Sequence, residues 1–146
     1  MTVSDTTTFQ TSAFLAEGGS HVTIRNSAAV RSVGNGFSVA ESTLGTEMVV
    51  DGCLASEHNY NGFLAGAAGG SGTALLTISN SVASNNGSNG IVAGTNGTVR
   101  AFSNISTRNS YGLNGQNGTF ESFGNNAVKG NYTMETLGPI TSVPTM

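Results

Sequence analysis

Apolar residues along this chain come in short alternating pairs closed by polar corners. Val22-Thr23-Ile24, Met48-Val49-Val50 and Leu76-Thr77-Ile78 are three such pairs. Two apolar residues in alternation read as a short half-buried strand. Each pair is followed by Asn or Gly, which accept the left-handed backbone that a sharp corner needs. The expected corner column is Asn26, Gly52, Asn80, Asn104 and Asn125. Small residues stand behind it: Ser27 and Ala29, Cys53 and Ala55, Ser81 and Ala83.

A second marker is Gly or Ala followed by a large apolar residue. It occurs as Ala13-Phe14, Gly36-Phe37, Gly62-Phe63, Gly90-Ile91 and Gly112-Leu113, at intervals of 23, 26, 28 and 22 residues. One nine-residue phrase, Asn96 to Asn104, returns 21 residues later as Asn117 to Asn125 with five identical positions. Repeats of 20 to 30 residues are the sign of a solenoid or propeller.

Strand, corner, strand, turn and strand in each repeat describe one rung of a parallel β-helix, whose neighbours pair about 4.8 Å away. The predicted fold class is therefore all-β, a parallel β-helix (solenoid) of about five to six coils. Residues 1–131 are expected to form the β-helix, with an incomplete first coil. Residues 132–146 are read as a C-terminal tail, able to cap the last rung or to fray. Stacking predicts two interior columns: Phe14, Phe37, Phe63, Ile91 and Leu113, and Ile24, Val50, Ile78, Phe102 and Phe123. The last two coils have one residue more between their apolar pair (Val99 to Phe102, Phe120 to Phe123), which predicts a bulge. Val3 is expected to align with Ile24, Asp5 with the corner, and Thr6 and Thr8 with the small column. Corner asparagines are expected to exchange amide hydrogen bonds along the axis.

Seven Asn-Gly pairs favour the competing arrangement, antiparallel hairpins. Hairpin sandwiches turn every 8 to 12 residues, however, whereas these markers recur at 20 to 28. The charges give an independent check on register. Arg25 with Asp51, Arg31 with Glu57, and Arg100 with Glu121 fall at matching offsets in adjacent coils, each pair of opposite sign.

Charged residues are 9% of the 146, and the formal net charge is −3. No basic patch offers nucleic acid a foothold. The N-terminus has neither a basic region nor an apolar stretch of signal-peptide type, and no apolar run approaches the length of a membrane span. Compartment is unknown from the sequence. Cys53 is the only cysteine, which removes an intrachain disulfide and a cysteine zinc site. Its place in the small interior column makes it an inert thiol. His21 and His58 stand in different registers and are read as solvated, one at a strand start and one in a loop. No metal site and no cofactor are expected, and no catalytic residue is assigned. The Gly66 to Gly72 stretch is read as a loop insertion.

The chain resembles the right-handed parallel β-helix repeat proteins of the pectate-lyase-like superfamily, closest to uncharacterised bacterial members. The phrases that carry this run from Thr77 to Asn86, then Asn89-Gly90-Ile91, then Ser122 to Asn126 and Gly130-Asn131. Enzymes of that superfamily that act on acidic polysaccharides use clustered carboxylates or calcium with a basic residue. This chain has only two aspartates, Asp5 and Asp51.

The expected function is a non-catalytic module for scaffolding or surface recognition of protein or glycan. The alternative is a polysaccharide-active lyase or hydrolase, or its degenerate remnant. The candidate surface face is Ser38, Leu64, Val92 and Asn114, on successive rungs. Trp is absent, and Tyr60 and Tyr111 are two rungs apart, which weakens a glycan platform. An uncovered N-terminal coil predicts self-association, as a homo-oligomer.

Overall fold

The computed structural model describes residues 2–4, 12–66 and 71–144. After β1 (Thr2–Ser4), the chain makes five rungs of three strands each. These are β2 (Phe14–Ala16), β3 (His21–Arg25) and β4 (Ala28–Val30), then β5 (Phe37–Val39), β6 (Thr46–Asp51) and β7 (Leu54–Ser56). The third rung is β8 (Phe63–Ala65), β9 (Ala74–Ser79) and β10 (Val82–Ser84), and the fourth is β11 (Asn89–Ala93), β12 (Gly97–Phe102) and β13 (Ile105–Thr107). The fifth is β14 (Tyr111–Asn114), β15 (Thr119–Ser122) and β16 (Ala127–Val128). Two further strands follow, β17 (Met134–Leu137) and β18 (Thr141–Ser142).

Three six-stranded sheets result: a first of β2-β5-β8-β11-β14-β17, a second of β3-β6-β9-β12-β15-β18, and a third of β1-β4-β7-β10-β13-β16. Every strand pairing within them is parallel, as a solenoid requires. Residues 134–137 and 141–142 of the tail extend the first and second sheets. Ile140, between them, packs against the end of the core.

The core is the column enclosed by the three sheets. Phe14, Phe37, Phe63, Ile91 and Leu113 stack in one register, as expected. The rings of Phe14 and Phe37 lie 4.7 Å apart at 8°, and those of Phe37 and Phe63 lie 4.9 Å apart at 15°. Parallel pairing in register imposes this stacking, because identical positions sit one strand spacing apart.

The second interior column differs from its expectation. Ile24, Val50 and Ile78 continue into Ala101 and Ser122, not into Phe102 and Phe123. β12 pairs with β9 residue for residue from Gly97↔Ala74 to Phe102↔Ser79, so there is no bulge. Strict alternation from Val99 then buries Ala101 completely and turns Phe102 outward, where it is 39% exposed. The corner shifts with it. Asn26, Gly52, Asn80 and Asn125 hold left-handed backbone as expected, but in the fourth rung the corner is Ser103 (φ 55°), not Asn104. Val3 pairs with Ala29 rather than aligning with Ile24. Asp5, Thr6 and Thr8 lie outside the described residues.

Asparagine ladders do run along the axis, but just inside the corners. In the first ladder Cys53 N–H donates to Ser81 Oγ, Ser81 N–H to Asn104 Oδ1 and Asn104 N–H to Asn126 Oδ1, at 2.9–3.0 Å. In the second, Ser32 N–H donates to His58 Nδ1, His58 N–H to Asn86 Oδ1, Asn86 N–H to Asn109 Oδ1, and Asn109 N–H to Asn131 Oδ1, at 3.0–3.1 Å. Each amide of Asn86, Asn109 and Asn131 also donates to a carbonyl one rung earlier in the third sheet (Ala55, Ala83 and Ser106). Glu135 closes this ladder, accepting from Gly130 N–H and Asn131 Nδ2. Buried turns thus satisfy backbone donors that no strand reaches.

The ladder also explains the marker glycines. A Cβ on Gly36, Gly62, Gly90 or Gly112 would lie 2.6–2.8 Å from the ladder nitrogen of the next rung, which belongs to His58, Asn86, Asn109 and Asn131 respectively. Ala13 occupies the same register one rung before Gly36, and there the next ladder residue is the shorter Ser32. His58 is therefore not a solvated loop residue. It is a ladder member, 2% exposed.

A candidate recognition face on the second sheet

The second sheet holds the three six-residue strands β6, β9 and β12, and alternation presents three outward columns on it. One runs His21, Glu47, Leu75, Thr98 and Thr119, and a second runs Thr23, Val49, Thr77, Arg100, Glu121 and Thr141. The third holds Arg25, Asp51, Ser79 and Phe102. Phe123 follows at the end of β15, its N–H donating to Ala101 O at 2.9 Å.

Two of the three charge matches lie on this face. Arg100 Nε donates to Glu121 Oε2 at 2.8 Å. Arg25 pairs in register with Asp51. The Asp51 carboxylate takes hydrogen bonds from Asn80 Nδ2 (2.9 Å) and Ser79 Oγ (2.8 Å). Asn80 and then Ser79 hold its pKa below the ordinary carboxylate value, and Arg25 adds a weaker pull. His21 Nδ1 lies 3.1 Å from Glu47 Oε2 in open solvent. The third match, Arg31 with Glu57, falls at the opposite end of the third sheet, where both residues take left-handed backbone (φ 57° and 61°).

Two recesses open on the second sheet and meet at Arg100. One, of about 340 Å³, is walled by the half-exposed rings of Phe102 and Phe123, with Thr77, Ser103 and Asn125 at its rim. The other, of about 210 Å³, is more polar and is bordered by Glu47, Thr73, Leu75 and Thr98. Glu121 holds the guanidinium in place from one side. A flat strip thus combines adjacent aromatic rings, a fixed cation and hydroxyls.

The residues named from the sequence as a face, Ser38, Leu64, Val92 and Asn114, do stand in register on the outer side of the first sheet. Ser38, Val92 and Asn114 are a tenth exposed or less, and Leu64 is half-buried. Ser38 Oγ accepts from Ser12 Oγ at 2.6 Å, and Asn114 Nδ2 donates to Asn89 Oδ1 at 2.9 Å. The column is recessed and internally bonded. Phe102 and Phe123 face outward and not into the interior column, because alternation and not side-chain size sets the face. Counting by twos from Val99 and from Phe120 places both rings differently from a plain apolar tally.

Among the described residues, no three of His, Cys, Asp and Glu come close enough to hold a metal. Glu47 and Glu121 flank Arg100 but sit on β6 and β15, three strand spacings or about 14 Å apart. Paired carboxylates for glycoside hydrolysis stand about 5–9.5 Å apart. Cys53 is buried, and burial raises its thiol pKa. Among the described residues, no helix is long and apolar enough to cross a membrane. No known protein family, curated protein or solved structure matches this chain.

Proposed function

We propose that this protein is a non-catalytic recognition module whose ligand is an extended glycan strand laid across the outer face of the second sheet. The observation that carries this reading is a pair of rings on adjacent rungs beside Arg100, Phe102 at 39% exposed and the partly buried Phe123. Large apolar side chains turned outward together are uncommon unless something covers them. Aromatic faces receive the apolar side of a sugar ring. Arg100, Thr77 and Asn125 border the same recess and carry donors and acceptors that would suit its hydroxyls. The weak net charge favours a neutral glycan over a polyanion.

A glycan array probed with the intact protein tests this. Phe102→Ser with Phe123→Ser, both solvent-facing changes, should weaken retained binding by about tenfold or more, and Arg100→Met by a smaller factor. Failure to retain any glycan, or retention unaffected by the double variant, would sink the reading. A protein ligand would instead appear as capture of a polypeptide that the double variant abolishes.

A further inference from the structure

The seven Asn-Gly pairs are chemically unequal. An Asn-Gly bond ages when the glycine nitrogen attacks the asparagine Cγ. That step needs a free glycine N–H and a side chain able to swing back over its own backbone. Six of the seven are denied one or both. Gly36 N–H donates to Asn61 O, Gly62 to Asn89 O, Gly87 to His58 O, Gly97 to Gly94 O and Gly115 to Leu137 O, at 2.8–2.9 Å. Gly90 lies buried within β11, between the paired residues Asn89 and Ile91.

The side chains are held as well. Asn35 Oδ1 accepts from Asn61 N–H and Nδ2, and Asn61 Oδ1 accepts likewise from Asn89. Asn86 is a ladder member, and Asn114 Nδ2 is bonded to Asn89. Asn117 differs. It is exposed, in the bend between β14 and β15, and among the described residues Gly118 N–H has no hydrogen-bond partner.

The geometry points to Asn117 as a site of spontaneous deamidation in the folded protein. The Gly118 nitrogen bonds to Asn117 Cγ and gives its proton to water. The Cγ–Nδ2 bond breaks and ammonia leaves. Water then opens the succinimide at either carbonyl, giving aspartate or isoaspartate. One water is consumed and one ammonia released, with no redox change. The product adds one negative charge to a chain of net charge −3. The isoaspartyl form also inserts a backbone carbon within residue 117, in the bend that leads into β15.

Intact protein held at mildly alkaline pH and 37 °C, then digested and mapped by mass, tests this. A gain of about one dalton should appear in the Asn117 peptide at least about tenfold faster than at any other Asn-Gly. In concentrated urea the seven should converge, and Asn117→Gln should remove the fast phase. Comparable ageing of another Asn-Gly in the folded protein would overturn the assignment. So would an unmodified Asn117 when the urea control ages.

Discussion

His58 is where one residue departs most from its neighbours in the fold. Its Nδ1 accepts from Ser32 N–H at 3.0 Å, so the neutral ring carries its proton on Nε2. Nε2 faces the Ala29 carbonyl without reaching hydrogen-bond geometry, and a Cβ on Gly36 would lie 2.6 Å from it. Protonation would set a second N–H against that of Ser32. Burial lowers the pKa from 6.5 to about 4. The unfolded chain therefore takes up a proton below pH 6.5 that the folded chain refuses until about pH 4. Stability should fall as pH drops through that window and level off below it, by at most about 3 kcal/mol. His58→Asn should restore the Asn86-type arrangement and remove the slope. Urea denaturation at pH 7 and pH 4.5 reads this directly. Asp51 and Glu135 are common to both proteins and cancel in the difference. An equal acid loss in both would refute the assignment.

At the level of the element, the ladder carries the turns that strands leave unsatisfied. Asn109 is fully buried. Its Oδ1 accepts from Asn86 N–H and Nδ2, and its Nδ2 donates to Ala83 O, Ser106 Oγ and Asn131 Oδ1. Asn109→Ala strands Asn86 N–H and Ala83 O away from water and should cost about 2–4 kcal/mol in thermal or urea unfolding. Asn109→Asp keeps the acceptor but sets a buried carboxylate against the oxygens of Ala83 and Asn131, so it should cost at least as much as the alanine. The strands themselves were legible in the sequence, because alternation and the marker interval fix both face and register. The Arg100 and Glu121 match was legible for the same reason. The ladders were half legible. A polar residue three or four places before the marker glycine (Asn86 before Gly90, Asn109 before Gly112, His58 before Gly62) is a visible signal. Yet the corner and the ladder differ by one residue, and only pairing in space separates Ser103 from Asn104. The exposed Phe102 was hidden by its size, since a large ring next to small Ala101 looks like the interior member.

Across the whole molecule, each rung touches only the rungs beside it, so a defect should stay where it is made. Phe37 is fully buried between the rings of Phe14 and Phe63. Phe37→Ala removes both stacking partners at once and leaves a cavity that β5 cannot collapse, because its backbone is pinned to β2 and β8. The expected loss is about 3–5 kcal/mol. In a round domain that loss would speed amide exchange everywhere. In a one-dimensional stack it should speed exchange in β2, β5 and β8, with β6 beside them. β12 and β15, two and three rungs on, should keep most of their protection. Hydrogen exchange resolved by peptide separates the two outcomes. Uniform deprotection would mean that the rungs unfold as one cooperative block, and that end-to-end coupling is stronger than nearest-neighbour contacts supply.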